Sequence, residues 1–297
     1  MSTARPKKSI IAVLVVVAVL VLGFLFVLFL GSPQWHWRLY AFQARNAENN
    51  QLGPSGSYSG VWNNWDQDGR LLSRYTYKNG KREGPYSTFT IDGRPLSQGQ
   101  YANDQLDGVQ IIIQENGERS EVPYRNGKRD GVEKTWYPSG QIAVEAPWLE
   151  GVQDGSVTFY YEHGSVQATL PYYRGSIEGV QKTWFENGAI QGEETYGNSK
   201  KNGPSTFYNH DGSFDMQLNY RDDTMDGMQT WYHPNGKKAR EIELSMGLPH
   251  GTWKEWDING VMLVDDEYVR GELQKKEDGT DAPGAGEQHG AETPPAE

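Results

Sequence analysis

Six carboxylates stand directly before a glycine at intervals of 23, 24 or 48 residues: Glu83, Asp107, Asp130, Asp154, Glu178 and Asp226. A column of oxygens at that spacing could line up for a hard cation. A calcium loop, however, takes several oxygen ligands from one short segment. Here each segment offers one, beside a turn glycine where Asp caps the backbone in any case. The expected role is turn chemistry. Histidines stand at 36, 163, 210, 233, 250 and 289, with no His-x3-His pair and no carboxylate–His spacing of the zinc kind. His163, His210 and His233 fall at different places in the period described below, so they form no ladder of ligands and are expected as solvated turn residues. Asn-Gly-Lys recurs at 79, 126 and 235, but no helix follows to hold a phosphate. No Gly-x-Ser-x-Gly elbow occurs. With no cysteine there is no thiolate nucleophile, iron–sulfur site or disulfide. The expectation is a protein that is not an enzyme, with no catalytic, cofactor-binding or metal-binding residues.

The remaining chemistry is aromatic. The chain holds 10 tryptophans, 17 tyrosines and 9 phenylalanines. Rows of Trp and Tyr can stack sugar rings, pack a peptide or touch lipid. They can equally be the cross-strand packing of a sheet. Four tryptophans break the uniformity of their columns and are the candidates for a binding surface: Trp62, Trp148, Trp231 and Trp253.

These residues sit on a strict period. Glycines at 60, 84, 108, 131, 155, 179, 203, 227 and 251 are 24 residues apart, with one spacing of 23, and a second glycine follows each by nine. Counting the first glycine as position zero, position five is aromatic in every repeat except at Ile113. Position seventeen is aromatic except at Leu244, with Tyr124 one residue early in the shortened third repeat. Dipeptides such as Asp68-Gly69, Asn116-Gly117 and Asn187-Gly188 mark tight hairpin turns. A second turn closes each repeat, as in Asn79-Gly80-Lys81-Arg82-Glu83-Gly84. Two strands and two turns in 24 residues leave no room for a crossover helix, so the sheet must be an antiparallel meander. The predicted fold is all-β: an extended meander or solenoid of nine hairpins, 60–274, stabilised between neighbours.

Gly-x4-aromatic-x3-Gly followed by Tyr-x-Asn-Gly-Lys-x-Asp/Glu-Gly resembles the MORN repeat, in the variant form of bacterial YwqK-type antitoxin proteins. The resemblance covers about Gly60 to Gln274. It implies one long twisted sheet of hairpins serving as an interaction or membrane-associated scaffold. Ile111-Ile112-Ile113 and the missing tyrosine of the eighth repeat depart from the pattern.

Outside the repeats, Ile10 to Leu30 is 21 uncharged residues, long enough to cross a bilayer as a helix. Arg5, Lys7 and Lys8 precede it, and Trp35, Trp37 and Tyr40 follow at headgroup depth. The expected layout is a cytoplasmic basic segment 1–9, a membrane helix 10–30, a linker 31–59, the repeats, and a disordered acidic tail 275–297. The chain is then a single-pass protein of the cell membrane, held there by its own helix, with the repeats extracytoplasmic. A net charge of -11 disfavours nucleic acid. The expected partner is an unidentified protein; the alternative is a glycan or lipid bound on the aromatic rows.

Overall fold

The computed structural model describes residues 56–274. The expectations for 1–9, 10–30, most of the linker and the tail lie outside the described residues. Among those described, no helix is long and apolar enough to cross a membrane. The chain divides into two compact units, Met1–Ile177 and Glu178–Glu297.

In the first unit five hairpins follow one another. Their long strands are Gly60–Trp65 with Leu71–Lys78, Lys81–Phe89 with Pro95–Ala102, Gly108–Ile113 with Arg119–Arg125, Gly131–Trp136 with Ile142–Leu149, and Gly155–Tyr160 with Val166–Tyr173. The second unit holds four: Gly179–Trp184 with Ile190–Gly197, Lys200–Tyr208 with Phe214–Arg221, Gly227–Tyr232 with Lys238–Ser245, and Leu248–Trp256 with Met262–Val269. Two-residue strands such as Gln105–Leu106 and Thr224–Met225 close the second turns. All these pairings are antiparallel, as the loop lengths required.

The two turns of a repeat divide the work differently from the sequence expectation. At Asp68-Gly69 and its equivalents only the glycine has positive φ; Gly69, for example, lies at +80°. The loop is a wider one, with Gly69 N–H donating to Asp66 O at 3.2 Å and Asp66 N–H to Arg70 O at 2.9 Å. The Asn or Asp instead accepts from the backbone two residues on, as Asn187 Oδ1 does from Ala189 N at 2.9 Å. The two-residue turn with both φ positive is the second one. There even Glu150, Arg174, Met246 and Arg270 adopt φ of 50 to 54°, a conformation non-glycine residues seldom take.

The reason is an interlock between repeats. The second residue of this turn donates its N–H to the preceding repeat: Gly127 to Leu106 O at 2.8 Å, Gly151 to Arg129 O at 2.7 Å, Gly247 to Met225 O at 2.9 Å. The first residue donates to the carboxylate column: Asn103 N to Glu83 Oε2 at 2.8 Å, Asn198 N to Glu178 Oε2 at 2.8 Å, Met246 N to Asp226 Oδ1 at 2.9 Å. Tyr58 and Ser59, the end of the linker, play these two parts for the first repeat through Gly80 N and Asn79 N. Glu83, Asp107, Glu178 and Asp226 therefore cap backbone, each in its own junction. Among the described residues no cluster of three metal-ligating side chains occurs. Glu178→Ala is expected to cost about 1 kcal/mol, and added calcium to leave the melting temperature of the unaltered chain where it was; a calcium-induced rise would count against the capping role.

Register explains the short repeat. In most hairpins the pairing slips after position four, as between Asn64 and Trp65, which leaves position twelve as an extra residue. The third hairpin pairs without a slip, Ile113 opposite Arg119. It has lost that one residue, and Gly108 still faces Tyr124.

The buried columns are positions two and fifteen, which face each other. Val122 (1% exposed), Val157 (3%) and Gln229 (0%) belong to them, as do Tyr86, Ala146, Ser205, Leu218 and Ile242. The described aromatics at five and seventeen are only half-buried. Their rings cover the sheet rather than fill it.

Candidate functional site

Side chains alternate across a strand, so positions two, four, thirteen, fifteen and seventeen share one face, and three, five and fourteen the other. All four candidate tryptophans belong to the first face. Position seventeen lies opposite the bare glycine of position zero, as Trp148 does opposite Gly131. Where position twenty-two carries a cation, it stacks on the aromatic of the following repeat. Arg82 lies 4.2 Å from the Tyr101 ring, Arg129 4.6 Å from Trp148 and Lys201 5.2 Å from Tyr220.

In the first unit Trp62 and Trp148 have separate surroundings. Trp62 meets Tyr58 edge-on at 5.7 Å and donates Nε1–H to Asn64 Oδ1 at 3.0 Å. Trp148 lies under Arg129, whose guanidinium pairs with Glu133 at 3.0 Å. The Trp148 Nε1 is buried with no hydrogen-bond partner among the described residues. These two read as packing. A cleft of about 450 Å³ beside Arg70, Leu71, Phe89 and Ile91 involves neither.

In the second unit Trp231 and Trp253 come together around Arg240. The Arg240 guanidinium sits 5.8 Å from the Trp231 ring and 5.9 Å from the Trp253 ring. It donates Nε–H to Glu255 Oε1 at 2.8 Å, and Trp253 Nε1–H donates to the same oxygen at 3.0 Å. Tyr268 closes the group, 5.5 Å from Trp253. Burial first, then the carboxylates of Asp266 and Glu255, hold its phenol above the usual tyrosine range. Arg240, Glu255 and Tyr268 were not among the sequence candidates. The signal for them was pairing: position thirteen faces position four in its own hairpin and in the next, so Arg240 lies opposite both Trp231 and Glu255.

The other face carries a salt-bridged ladder. Lys134 Nζ meets Glu145 at 2.9 Å, and Tyr160 of the next repeat donates its hydroxyl to Glu145 Oε2 at 2.8 Å. Lys182 and Glu193 repeat the pair at 2.8 Å. The bond from Lys134, then that from Tyr160, holds the Glu145 carboxyl below its usual range. Being lower in the folded state, it contributes stability that is present above about pH 4.3 and lost as pH falls through the folded value. Glu145→Gln should therefore lower the urea midpoint at pH 7 and match the unaltered chain near pH 2. An equal deficit at both pH values would remove the charge from the argument.

His163 and His210 are exposed turn residues, as expected, and His233 is half-buried. His210 stacks on Phe185 at 3.8 Å, His163 on Tyr161 at 5.5 Å, and the His233 ring nitrogen bonds to Trp256 O at 2.9 Å.

Hairpins of 24 residues, one of them shortened to 23, following one another within each unit define an antiparallel β-repeat protein. A sequence profile of the MORN repeat variant matches residues 129–150, 153–172, 177–198 and 225–244. The chain thus carries MORN-variant repeats at these four places, and the hairpins outside them keep the same glycine-to-position-seventeen pairing. No curated protein matches the chain. Among solved structures, TcdB2-TccC3 without its hypervariable C-terminal region is similar over 77% of this chain and 12% of that one, at 13% identity and a TM-score of 0.17. TcdB2-TccC3-Cdc42 is similar over 70% and 13%, at 12% identity and 0.15. TcdB2-TccC3-TEV is similar over 75% and 16%, at 9% identity and 0.18. The chain spans less than a fifth of the length of these structures.

Proposed function

We propose that the chain is a non-enzymatic scaffold, anchored in the cell membrane by residues 10–30, that presents its repeats outside the cytoplasm to a protein partner in the manner of the YwqK-type antitoxins. The observation that carries the reading is the Trp231–Arg240–Trp253–Tyr268 group. Trp, Tyr and Arg are the residue types that dominate protein interfaces. Here the hairpin lattice holds them half-exposed, at fixed separations, before any partner arrives. A rigid surface of this kind loses little entropy on binding.

The test is co-purification of the full chain from detergent-solubilised membranes of its own source, compared with Trp231→Ala and Arg240→Ala. The reading expects one protein recovered with the unaltered chain and depleted with both variants. A recovered set that is the same for all three would sink it. Quenching of tryptophan emission by glycans or liposomes, lost in the same variants, would favour carbohydrate or lipid instead.

A further inference from the structure

We propose that the strand Met262–Val269 is a docking edge for an extended, basic segment of a partner protein. The inference rests on the scaffold reading and adds the partner's chemistry to it. In the seventh and eighth repeats the middle of the return strand pairs with the repeat that follows: Met216 and Gln217 with Trp231 and Thr230, Arg240 to Ile242 with Glu255 to Trp253. In the ninth, Met262 to Asp266 pair with Leu248–Trp256 alone. Beyond them Glu267 O accepts Gln274 N–H at 2.8 Å, and Tyr268 and Val269 find a second neighbour in Leu273 and Glu272. Among the described residues the edge is open, and such an edge is a template for another strand.

The side chains specify what kind of strand. Met262 is 48% exposed and Leu263 65%, so one end of the edge is apolar. The other end is Asp265-Asp266-Glu267. Asp266 stands in the column where the seventh and eighth repeats bury Leu218 and Ile242. The second unit has one other acid in that column, Glu194 of the sixth repeat, and its Oε1 is paired with the Lys201 ammonium from position twenty-two. The ninth repeat has Leu273 at that position, and no cation pairs with Asp266 among the described residues. On the opposite face Lys254 stands across the repeat junction from Glu241. By the same register a lysine or arginine arriving opposite Asp265 would be complementary, as Lys134 is to Glu121 and Lys254 to Glu241, whereas Glu145 and Glu193 of the same column meet Thr158 and Thr206. An incoming strand with a cation near Asp266, another opposite Asp265, and apolar residues toward Met262 supplies what the edge lacks. A second copy of the same strand would instead bring carboxylates together, which is unfavourable.

The probe is a fluorescent peptide of two adjacent lysines followed by valines, which as an antiparallel strand offers one cation to each face and its apolar end to Met262, titrated into the full chain in detergent by anisotropy. Asp266→Asn should weaken it about tenfold, while Glu162→Gln, an exposed acid of the first unit, should change it less than about twofold. A Glu/Val peptide, and a Lys/Val peptide with a central proline, should not bind. Equal weakening by the two substitutions, or retained binding of the proline peptide, would reduce the interaction to general charge attraction and overturn the proposal. So would cross-links between two copies of Met262–Val269 in the unaltered chain. Failure of the co-purification sinks the scaffold reading. An unchanged peptide affinity in Asp266→Asn sinks only the edge.

Discussion

Gly155→Ala is expected to destabilise the first unit by about 3 kcal/mol, measured as a lower midpoint in urea. Two terms add. Gly155 has φ of +114°, a region where a residue with a side chain pays about 1–3 kcal/mol in strain. A Cβ there would also lie 2.8 Å from Pro147 Cγ and 3.3 Å from its Cβ. The proline cannot retreat cheaply. It is paired with Val132, and its carbonyl accepts Asp154 N–H at 3.2 Å. Overpacking of this sort costs a further 1–3 kcal/mol or so. Gly140, at the hairpin tip, is the internal control. Its φ is +87° but nothing lies within 4 Å of the added carbon, so Gly140→Ala should cost only about 1 kcal/mol. Equal midpoints for the two variants would mean that the glycine at position zero answers to backbone strain alone and that the junction tolerates side chains.

The same pair of glycines shows what the sequence could and could not reveal. Their spacing was plain because each has a backbone requirement that recurs in every hairpin, and period is the part of a repeat fold most directly written in residue identity. Which turn has which shape was not plain. Asn-Gly suits a two-residue turn by propensity, yet Asn187-Gly188 sits in the wider loop. The two-residue turn is held by hydrogen bonds to the preceding repeat, strong enough to put Met246 and Arg270 at positive φ. The buried columns were hidden for a related reason. Positions two and fifteen compensate each other in volume and polarity, Tyr86 against Gly99 and Gln229 against Ile242, so neither looks uniform when read down the chain. The visible aromatic columns are half-buried.

The candidate site divides along the same line. Irregularity within a column singled out four tryptophans, but irregularity has two sources. Trp148 differs from the tyrosines of its column and does the same work, lying under a position twenty-two cation as Tyr101 and Tyr220 do. Trp231 and Trp253 sit in different columns, four and two, and are joined only because Arg240 faces the one across its hairpin and lies over the other. That connection needs strand register, which no single column contains.

Gln229→Leu is expected to cost the second unit about 2–3 kcal/mol although the volumes are similar. Pairing between the seventh and eighth repeats ends at Gln217 opposite Thr230, so Asn219, two residues on, lies beyond the ladder. The Gln229 amide stands in for the missing strand. Its Oε1 accepts Asn219 N–H at 2.9 Å, and its Nε2 donates to Asn219 O at 3.0 Å and Gly227 O at 3.1 Å. Asn219 O keeps a second donor in Asp226 N at 3.0 Å. Leucine would therefore orphan chiefly the Asn219 N–H, at about 1–3 kcal/mol for a buried donor. Gln229→Glu separates this account from simple packing. As a carboxylate it would still accept from Asn219 N–H but would set its second oxygen against two carbonyls in a fully buried place. As the protonated acid it would donate one bond where the amide donates two, and the charge would no longer face the carbonyls. Burial raises such a group above the ordinary glutamate range, so the deficit of Gln229→Glu should be larger than that of Gln229→Leu at pH 8 and shrink as pH falls toward 5, while that of Gln229→Leu stays level relative to the unaltered chain. Deficits that run parallel across that range would mean that Gln229 fills space and does not carry the slipped backbone.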